Sequence, residues 1–500
     1  MMDVLSNISL GLGVAATFQN LLYCLIGTFL GTVVGVLPGI GPVTTVAMLM
    51  PISFTLEPVS ALIMMAGIYY GAQYGGSTTA ILINIPGEAS SVVTSLDGHQ
   101  MARQGRAGPA LGMAALGSFF AGTVATFVIA FGAPPLAKLA LQFGPAEYFS
   151  LMLCGLVAAI VLARGSIIKA IAMVVVGLIF GLAGSDVNSG IRRFTFGVQG
   201  LADGIEFVAL SMAIYGVAEV IVNLEKKDGA AGIAGSIGKV LPSWADIKLC
   251  IPSVLRGTAL GSVLGVLPGG GALLASFSAY TLEKKVASEP RRFGQGDIRG
   301  VAAPESANNA GAQTSFIPML TLGIPSNPTM ALMIGALMVH GITPGPRVMT
   351  DRPELFWGVV ASMWLGNLML VVLNLPMVGL WVRLLRMPYR MMFPAIIGFC
   401  CIGTYTINSN VTDIAVMAAI TLFGYLCLKL DCEPAPLILG YVLGPMMEEN
   451  LRRALLISRG DPTIFVSAPI SLGFLIAAAA LLLIVAAPAI RQRREEVMVE

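Results

Sequence analysis

The sequence predicts an all-α polytopic membrane protein: two inverted-topology repeats with discontinuous, re-entrant helices, about 11–14 membrane segments in total. Three observations predict it. Charged residues make up 11% of the chain and apolar residues 56%, against roughly 25% charged in soluble domains. A soluble chain of 500 residues could not hide that much apolar surface in a core. The phrase "GVLPGIGP" (35–42) returns as "GVLPGGGA" (265–272), inside segments too apolar to be surface turns. Basic residues also fall in opposite places around the two copies.

The elements follow in order. The N-terminus, "MMDVLSNISLGLG", has no Lys or Arg and so lacks the charged start of a cleaved signal peptide. After the first glycine-proline phrase come apolar runs at 111–131, 167–184 and 207–224. Crossing a hydrocarbon core of about 30 Å takes roughly 20 residues. The self-similarity extends well beyond the phrase, as a true repeat requires. "GAQYGGSTTAILINIPG" (71–87) lies against "GAQTSFIPMLTLGIPS" (311–326), His99 against His340, Pro135 against Pro376, and Asp186 against Asp431. Residues 1–224 are thus the first repeat, 225–246 a polar cytoplasmic linker and 247–460 the second repeat. Residues 461–500 add a C-terminal transmembrane helix and a cytoplasmic tail carrying "RQRREE".

Charge placement turns the second copy upside down, because basic residues collect on the cytoplasmic side of short loops. "PISFTLEP", after the first phrase, has no Lys or Arg, whereas "TLEKKVASEPRRFGQGDIR", after the second, has five. Arg164 and Lys169 flank a turn whose counterpart, "NSNVTD", has none, and Lys138 stands alone where the second half has Arg383, Arg386 and Arg390. The N-terminus and 52–57 are then outside, 99–106 inside, 133–147 outside, 164–169 inside, 185–204 outside and the linker inside. The second half mirrors this walk, and the tail ends inside. Arg192-Arg193 and Arg452-Arg453 fall outside against the rule, partly balanced by nearby acids. They read as solvated helix ends, with anion attraction or partner docking as the alternative.

Other classes are excluded by what is missing. The net charge of +2 comes with no basic tract of the kind nucleic acids need. The seven cysteines form no CxxC and read as small buried apolar side chains. No HExxH, GxSxG, Walker A phrase or paired Asp arrangement lies in the apolar segments, so neither an intramembrane enzyme nor an ATP-driven pump is expected.

Interrupted helices carry the functional expectation. Every backbone N–H and C=O in hydrocarbon needs an internal partner. Pro38 and Pro268 each remove a donor, and Gly39, Gly41, Gly269, Gly270 and Gly271 lack helix propensity. Such stretches unwind only where they line a cavity or face protein, the arrangement of paired midpoints in secondary transporters. Freed N–H groups at a half-helix start suit a carboxylate, and freed carbonyls suit a cation such as Na+. Tight helix packing is the plainer use of such glycines. Polar neighbours supply the side-chain candidates: Gln73, Ser77, Thr78, Thr79, Asn84 and Gly87 in the first half. In the second they are Asn308, Asn309, Gln313, Thr314, Ser315, Ser326 and Asn327. Glu88 and Glu305 join Gly39, Gly41, Gly269 and Gly271 as cation-coupling candidates, since acids at membrane depth are costly and functional. The two histidines lie in loop-like contexts, where a structural role is expected ahead of proton carriage.

"GVLPGIGP", "YYGAQYGGSTTAILINIPGEASS", "LDGHQMARQGRAG", "RFTFGVQGLADGIEFV", "APESANNAGAQTSFIPMLTLGIPS", "HGITPGPRVM" and "LGYVLGPMMEENLRRALLISRGD" together resemble the large membrane subunit of tripartite tricarboxylate transporters (the TctA type). The resemblance covers residues 15 to 490. It implies the permease of a three-part uptake system in a bacterial inner membrane. Its implied partners are a small membrane subunit of the TctB type and a periplasmic binding protein of the TctC type that delivers a citrate-like carboxylate. The driving force would be an Na+ or H+ gradient, with no cofactor. Ser326 departs from the family's usual glycine after Ile-Pro, and Glu88 from a smaller neutral residue; both bear on the ligand. At about 100 mV one charge is worth roughly 2.3 kcal/mol, so importing a di- or trianion costs about 5–7 kcal/mol, which co-imported cations offset. A stand-alone ion-coupled organic-anion permease, working without a binding protein, is the alternative.

Overall fold

A computed structural model describes residues 2–37, 41–163, 166–186, 189–225, 237–267, 271–385 and 389–486. Pro38, Gly39, Pro268, Gly269 and Gly270 therefore lie outside the described residues, as do the middle of the linker (226–236), Arg164, Arg386 and the basic tail.

The first half runs α1 (Met2–Ala15), α2 (Phe18–Gly35), α3 (Pro42–Ser53), α4 (Pro58–Ile83), α5 (Val92–Arg103), α6 (Ala107–Ala140), α7 (Pro145–Leu162) and α8 (Ile167–Gly181). A two-stranded antiparallel hairpin follows, β1 (Gly184–Ser185) pairing with β2 (Arg192–Arg193). An interrupted span closes the half: α9 (Phe207–Ser211), a π-helical stretch at Met212–Ala218, and α10 (Glu219–Glu225). The second half runs α11 (Trp244–Leu264), α12 (Gly271–Val286), α13 (Arg299–Thr314), α14 (Phe316–Leu322), α15 (Pro328–Val339), α16 (Arg347–Asp351), α17 (Pro353–Asn374), α18 (Val378–Leu384), α19 (Tyr389–Asn408), α20 (Val411–Lys429) and α21 (Ala435–Ile457). Helices α22 (Ile464–Ser467) and α23 (Pro469–Ala486) end the described chain.

Seven of these spans are long and apolar enough to cross a membrane, and six shorter apolar helices accompany them among the described residues. The protein is an all-α polytopic membrane protein. Local chemistry sets the boundaries. Proline opens α3, α4, α7, α15 and α17, where its missing N–H costs no helical bond. Thr17, Ser243 and Asn327 cap α2, α11 and α15, their side chains accepting from the backbone N–H of Asn20, Asp246 and Met330. Helix α6 has 34 residues, which at 1.5 Å each is about 51 Å.

Glycines four apart bring two helix pairs into backbone contact. A Cβ at Gly27, Gly31 or Gly35 of α2 would stand 2.2, 2.3 or 2.5 Å from the carbonyl oxygens of Met64, Ile68 and Ala72 on α4. At Gly257, Gly261 or Gly265 of α11 it would stand 2.3, 2.4 or 2.4 Å from those of Ala303, Ala307 and Gly311 on α13. No other residue permits this approach, which is how helices associate where lipid removes the hydrophobic drive.

Packing sorts the helices into two groups. Helices α1, α2, α4, α5, α6, α11, α12, α13 and α17 pack chiefly on one another. The other group is α3, α7, α8, the 207–225 span, α15, α19, α20, α21 and α23. Each half of the sequence contributes to both groups, so the spatial bundles and the sequence halves are different partitions.

Loops gather in two sets. In one, Asp97 accepts three loop N–H bonds, from Gly294, Gly296 and Asp297 at 2.8 Å each. In the same set Gly108 N–H reaches Ile237, Arg106 pairs with Asp246, and Lys169 Nζ donates to the Leu430 carbonyl. In the other, Phe54 packs on His340 and Phe149 on Phe465. There Arg193 and Arg452 form a closed network with Asp186 and Glu448. Of the four arginines that broke the charge rule, Arg193 and Arg452 are thus held by acids in this network, and Arg453 pairs with Glu449. Helix α20 runs from the second set, where Thr412 meets Gly200, to the first, where Lys429 pairs with Glu225.

Candidate functional site

Helix α13 positions most of the site. All sixteen of its residues are buried, although Glu305, Ser306, Asn308, Asn309, Gln313 and Thr314 are among them. The α11 glycine ladder seals one side of α13, and α4, α5 and α6 cover another. Residues 305, 309 and 313 recur at helical spacing and so face one way.

At Glu305, Ser77 Oγ of α4 donates to Oε2 at 2.7 Å and Thr94 Oγ1 of α5 donates to Oε1 at 2.5 Å. Asn308 Nδ2 donates to Glu88 Oε1 at 2.8 Å, which brings the second carboxylate to the same helix. Asn309 Nδ2 donates to Ser118 Oγ of α6 at 2.7 Å. Thr78 bonds back to the Tyr74 carbonyl, and Tyr74, Ser77, Thr78, Ser118, Glu305 and Asn374 line a cavity of about 10 Å³. That is room for roughly one water; a citrate-sized anion does not fit in this conformation.

Two turns further along, Thr126 Oγ1 of α6 donates to Gln313 Oε1 at 2.7 Å. Gln313 Nε2 and both polar atoms of Asn367, on α17, are buried without a partner. A Cβ on Gly122 would stand 2.6 to 2.7 Å from all three, so the amides converge on bare backbone.

A third focus lies nearer the turn after Ile324-Pro325. Ser326 Oγ donates to the Ser315 carbonyl at 3.4 Å, and Asn327 caps α15 while its Nδ2 has no partner. Gln73 Oε1 is likewise buried without a partner. Asn327 and Pro328 also border a second cavity of about 20 Å³, opposite Glu433.

The glycine candidates that are described sit against these turns. A Cβ on Gly41 would lie 3.4 Å from the Gly87 carbonyl oxygen, and one on Gly87 only 2.5 Å from Gly76 Cα. Gly271 takes a positive φ of 32° and adjoins Asn327. Thr314 instead bonds the Ala310 and Gly261 carbonyls and serves the α11 contact. Asn84 is exposed at the left-handed C-cap of α4 (φ 57°) and does not join the cluster. His99 Nδ1 lies 3.2 Å from the Ile81 carbonyl. His340 Nε2 is buried without a partner.

Sequence reasoning passed over Thr94, Ser118, Thr126, Asn367 and Asn374. The last two carried a signal, single amides inside the apolar run "MWLGNLMLVVLNLP". Glu219 was also missed. It stands within the 207–225 span, directly after the π-helical stretch, and accepts from Thr44 Oγ1 at the start of α3. Among the described residues no group of three His, Cys, Asp or Glu could hold a metal ion.

Against known proteins, the family described as "Tripartite tricarboxylate transporter TctA family" matches residues 21–439. An uncharacterized 52.8 kDa protein in the TAR-I ttuC' 3'region of Agrobacterium vitis is 56% identical over 504 residues, covering 100% of both chains. An uncharacterized protein in the TAR-II ttuC' 3'region of the same organism is 57% identical over 240 residues, 48% of this chain and 99% of that one. No solved structure matches the chain.

Proposed function

Given that the chain belongs to the tripartite tricarboxylate transporter TctA family, we propose that it is the large permease subunit of a binding-protein-dependent secondary transporter. It imports a citrate-like carboxylate together with a cation, Na+ or H+, by alternating access. A TctB-like small membrane subunit and a TctC-like periplasmic binding protein are its partners, in a bacterial inner membrane.

One observation carries the reading: a fully buried helix, α13, holds a carboxylate and three amides. Gln313 Nε2 and Asn308 Oδ1 among them, and the neighbouring Asn367, have no protein partner. Leaving such groups unsatisfied costs about 1–3 kcal/mol each, which a polar solute passing between α13 and α6 offsets. Neutral amide and hydroxyl donors hold an anion and still release it. The cavity beside Glu305, too small for a carboxylate substrate, supports a conformation from which one packing group must shift against the other, by an elevator-like or rocking motion. The recurrence of the α2–α4 glycine contact in α11–α13, and the two sets of loops, support two repeats of opposite topology.

The test is uptake of a radiolabelled panel of di- and tricarboxylates, including citrate, into proteoliposomes holding the full chain and its partner subunits. Uptake is expected to need the binding protein and to collapse when both the sodium and proton gradients are dissipated. Asn309→Ala and Gln313→Ala are expected to cut it at least about tenfold with little change in expression, a loss of about 1.4 kcal/mol in transition-state terms. Uptake at the wild-type level in both variants, or uptake without either gradient, rules the site or the coupling out.

A further inference from the structure

Resting on that transport reading, we propose that Glu305 is the group that carries the coupling cation and that this cation is a proton. The argument is geometric. Glu305 is 1% exposed, and each of its carboxyl oxygens is met directly by a hydroxyl, Ser77 Oγ at 2.7 Å and Thr94 Oγ1 at 2.5 Å. A metal ion on this carboxylate would have to turn both hydroxyl hydrogens away from it, whereas a proton on Oε2 leaves the Thr94 bond in place.

Ser77 has two acceptors for one hydrogen. Its Oγ lies 2.7 Å from Glu305 Oε2 and 3.1 Å from the Gln73 carbonyl. When Glu305 is ionised, Ser77 donates to the carboxylate. When Oε2 gains a proton, Glu305 donates to Ser77 Oγ and the serine hydrogen turns to the Gln73 carbonyl. Hydroxyls allow this reversal because they both donate and accept. Both protonation states are therefore satisfied with the same heavy-atom positions.

The surroundings supply no competing cation. Among the described residues Glu305 makes no ion pair with Lys, Arg or His, and neither does Glu88. From α4 it faces Tyr74, from α6 Ser118, from α17 Asn374, and beyond Asn308 the second carboxylate, Glu88. On α5, Asp97 is a turn away from Thr94 but committed to three loop amides and Tyr280. Arg256 of α11 closes on Glu283 of α12 at 2.7 Å. A carboxylate as buried as Glu305, with no cation beside it, is costly to keep ionised, and a bound proton removes that cost. The Tyr74 hydroxyl and Asn374 Oδ1, both over nine-tenths buried and without partners, border the water-sized cavity at Glu305. With room for about one water, the cavity lets such a water bridge these groups to the carboxyl as the proton is exchanged.

The test reads the carboxyl group before any substrate. Infrared difference spectra of the full chain in lipid are titrated with pH, for the wild type, Glu305→Gln, Glu88→Gln and Ser77→Ala. The wild type is expected to show the carbonyl stretch of a protonated carboxyl that disappears as pH rises. Glu305→Gln should lose that band, Glu88→Gln keep it, and Ser77→Ala keep it with a moved midpoint. With citrate as the transport probe, Glu305→Gln should lower the ratio of proton-gradient-driven uptake to citrate counterflow at least tenfold. A wild-type minus Glu305→Gln difference that contains no titrating carbonyl band, or wild-type uptake driven by a sodium gradient alone, overturns the proposal. Failure of the wild type to move any carboxylate would instead sink the transport reading, while the band still reports on Glu305.

Discussion

Gly122 is the clearest case of a residue whose identity follows from its neighbours. Three amide atoms, from Gln313 and Asn367, occupy the place where its side chain would begin. Gly122→Ala is expected to destabilise the protein by about 1–3 kcal/mol, the usual cost of overpacking a filled interior, read as a lowered thermal midpoint in detergent. Adding Asn367→Ala should restore part of the loss, because the two changes share one space; strict additivity would show that the crowding is elsewhere. The sequence exposed only some of this. Gln313 stands out beside "ANNAGAQ", whereas Gly122 lies in "FFAGTVATF", one small residue among many. A glycine kept clear for amides on two helices far along the chain has no local signature.

Elements show the same division. The polar letters of α13 were legible because a run such as "PESANN" does not belong beside lipid and must face protein or a cavity. That α13 is buried on every side was not legible, since it depends on α11 approaching to backbone contact. This approach makes a direct prediction. Gly261→Leu is expected to push α11 off α13 and cut the fraction of monodisperse protein in size-exclusion profiles severalfold. Gly13→Leu, at a glycine with open space around it, should leave the profile unchanged. Equal effects from both would dissolve the ladder argument. At the two glycine-proline phrases the sequence spoke plainly about helix interruption. Of their surroundings, Gly41 beside Gly87 and Gly271 beside Asn327 are described.

On the scale of the whole molecule, charge counting and packing address the same question by separate routes. Loops assigned to one side, such as 99–106, 284–299 and the linker, meet through Asp97, Gln104 and Arg106. Loop 52–57 meets His340 in the other set. Thr55→Cys and Arg291→Cys, introduced singly, are therefore expected to react with a membrane-impermeant maleimide from opposite faces. Reaction from one common face would end the inverted-repeat reading. What no sequence pattern disclosed is that each half feeds both packing groups, because mutual contact between distant helices leaves no trace in spacing or composition.

Helix α6 also outmeasures the lipid it has to cross. A rod of about 51 Å in a hydrocarbon slab of about 30 Å either leans or stands clear at its ends. Ser118, Gly122 and Thr126 ride on that helix, so their alignment with Asn309 and Gln313 is expected to respond to bilayer thickness, read as uptake in vesicles of graded acyl-chain length.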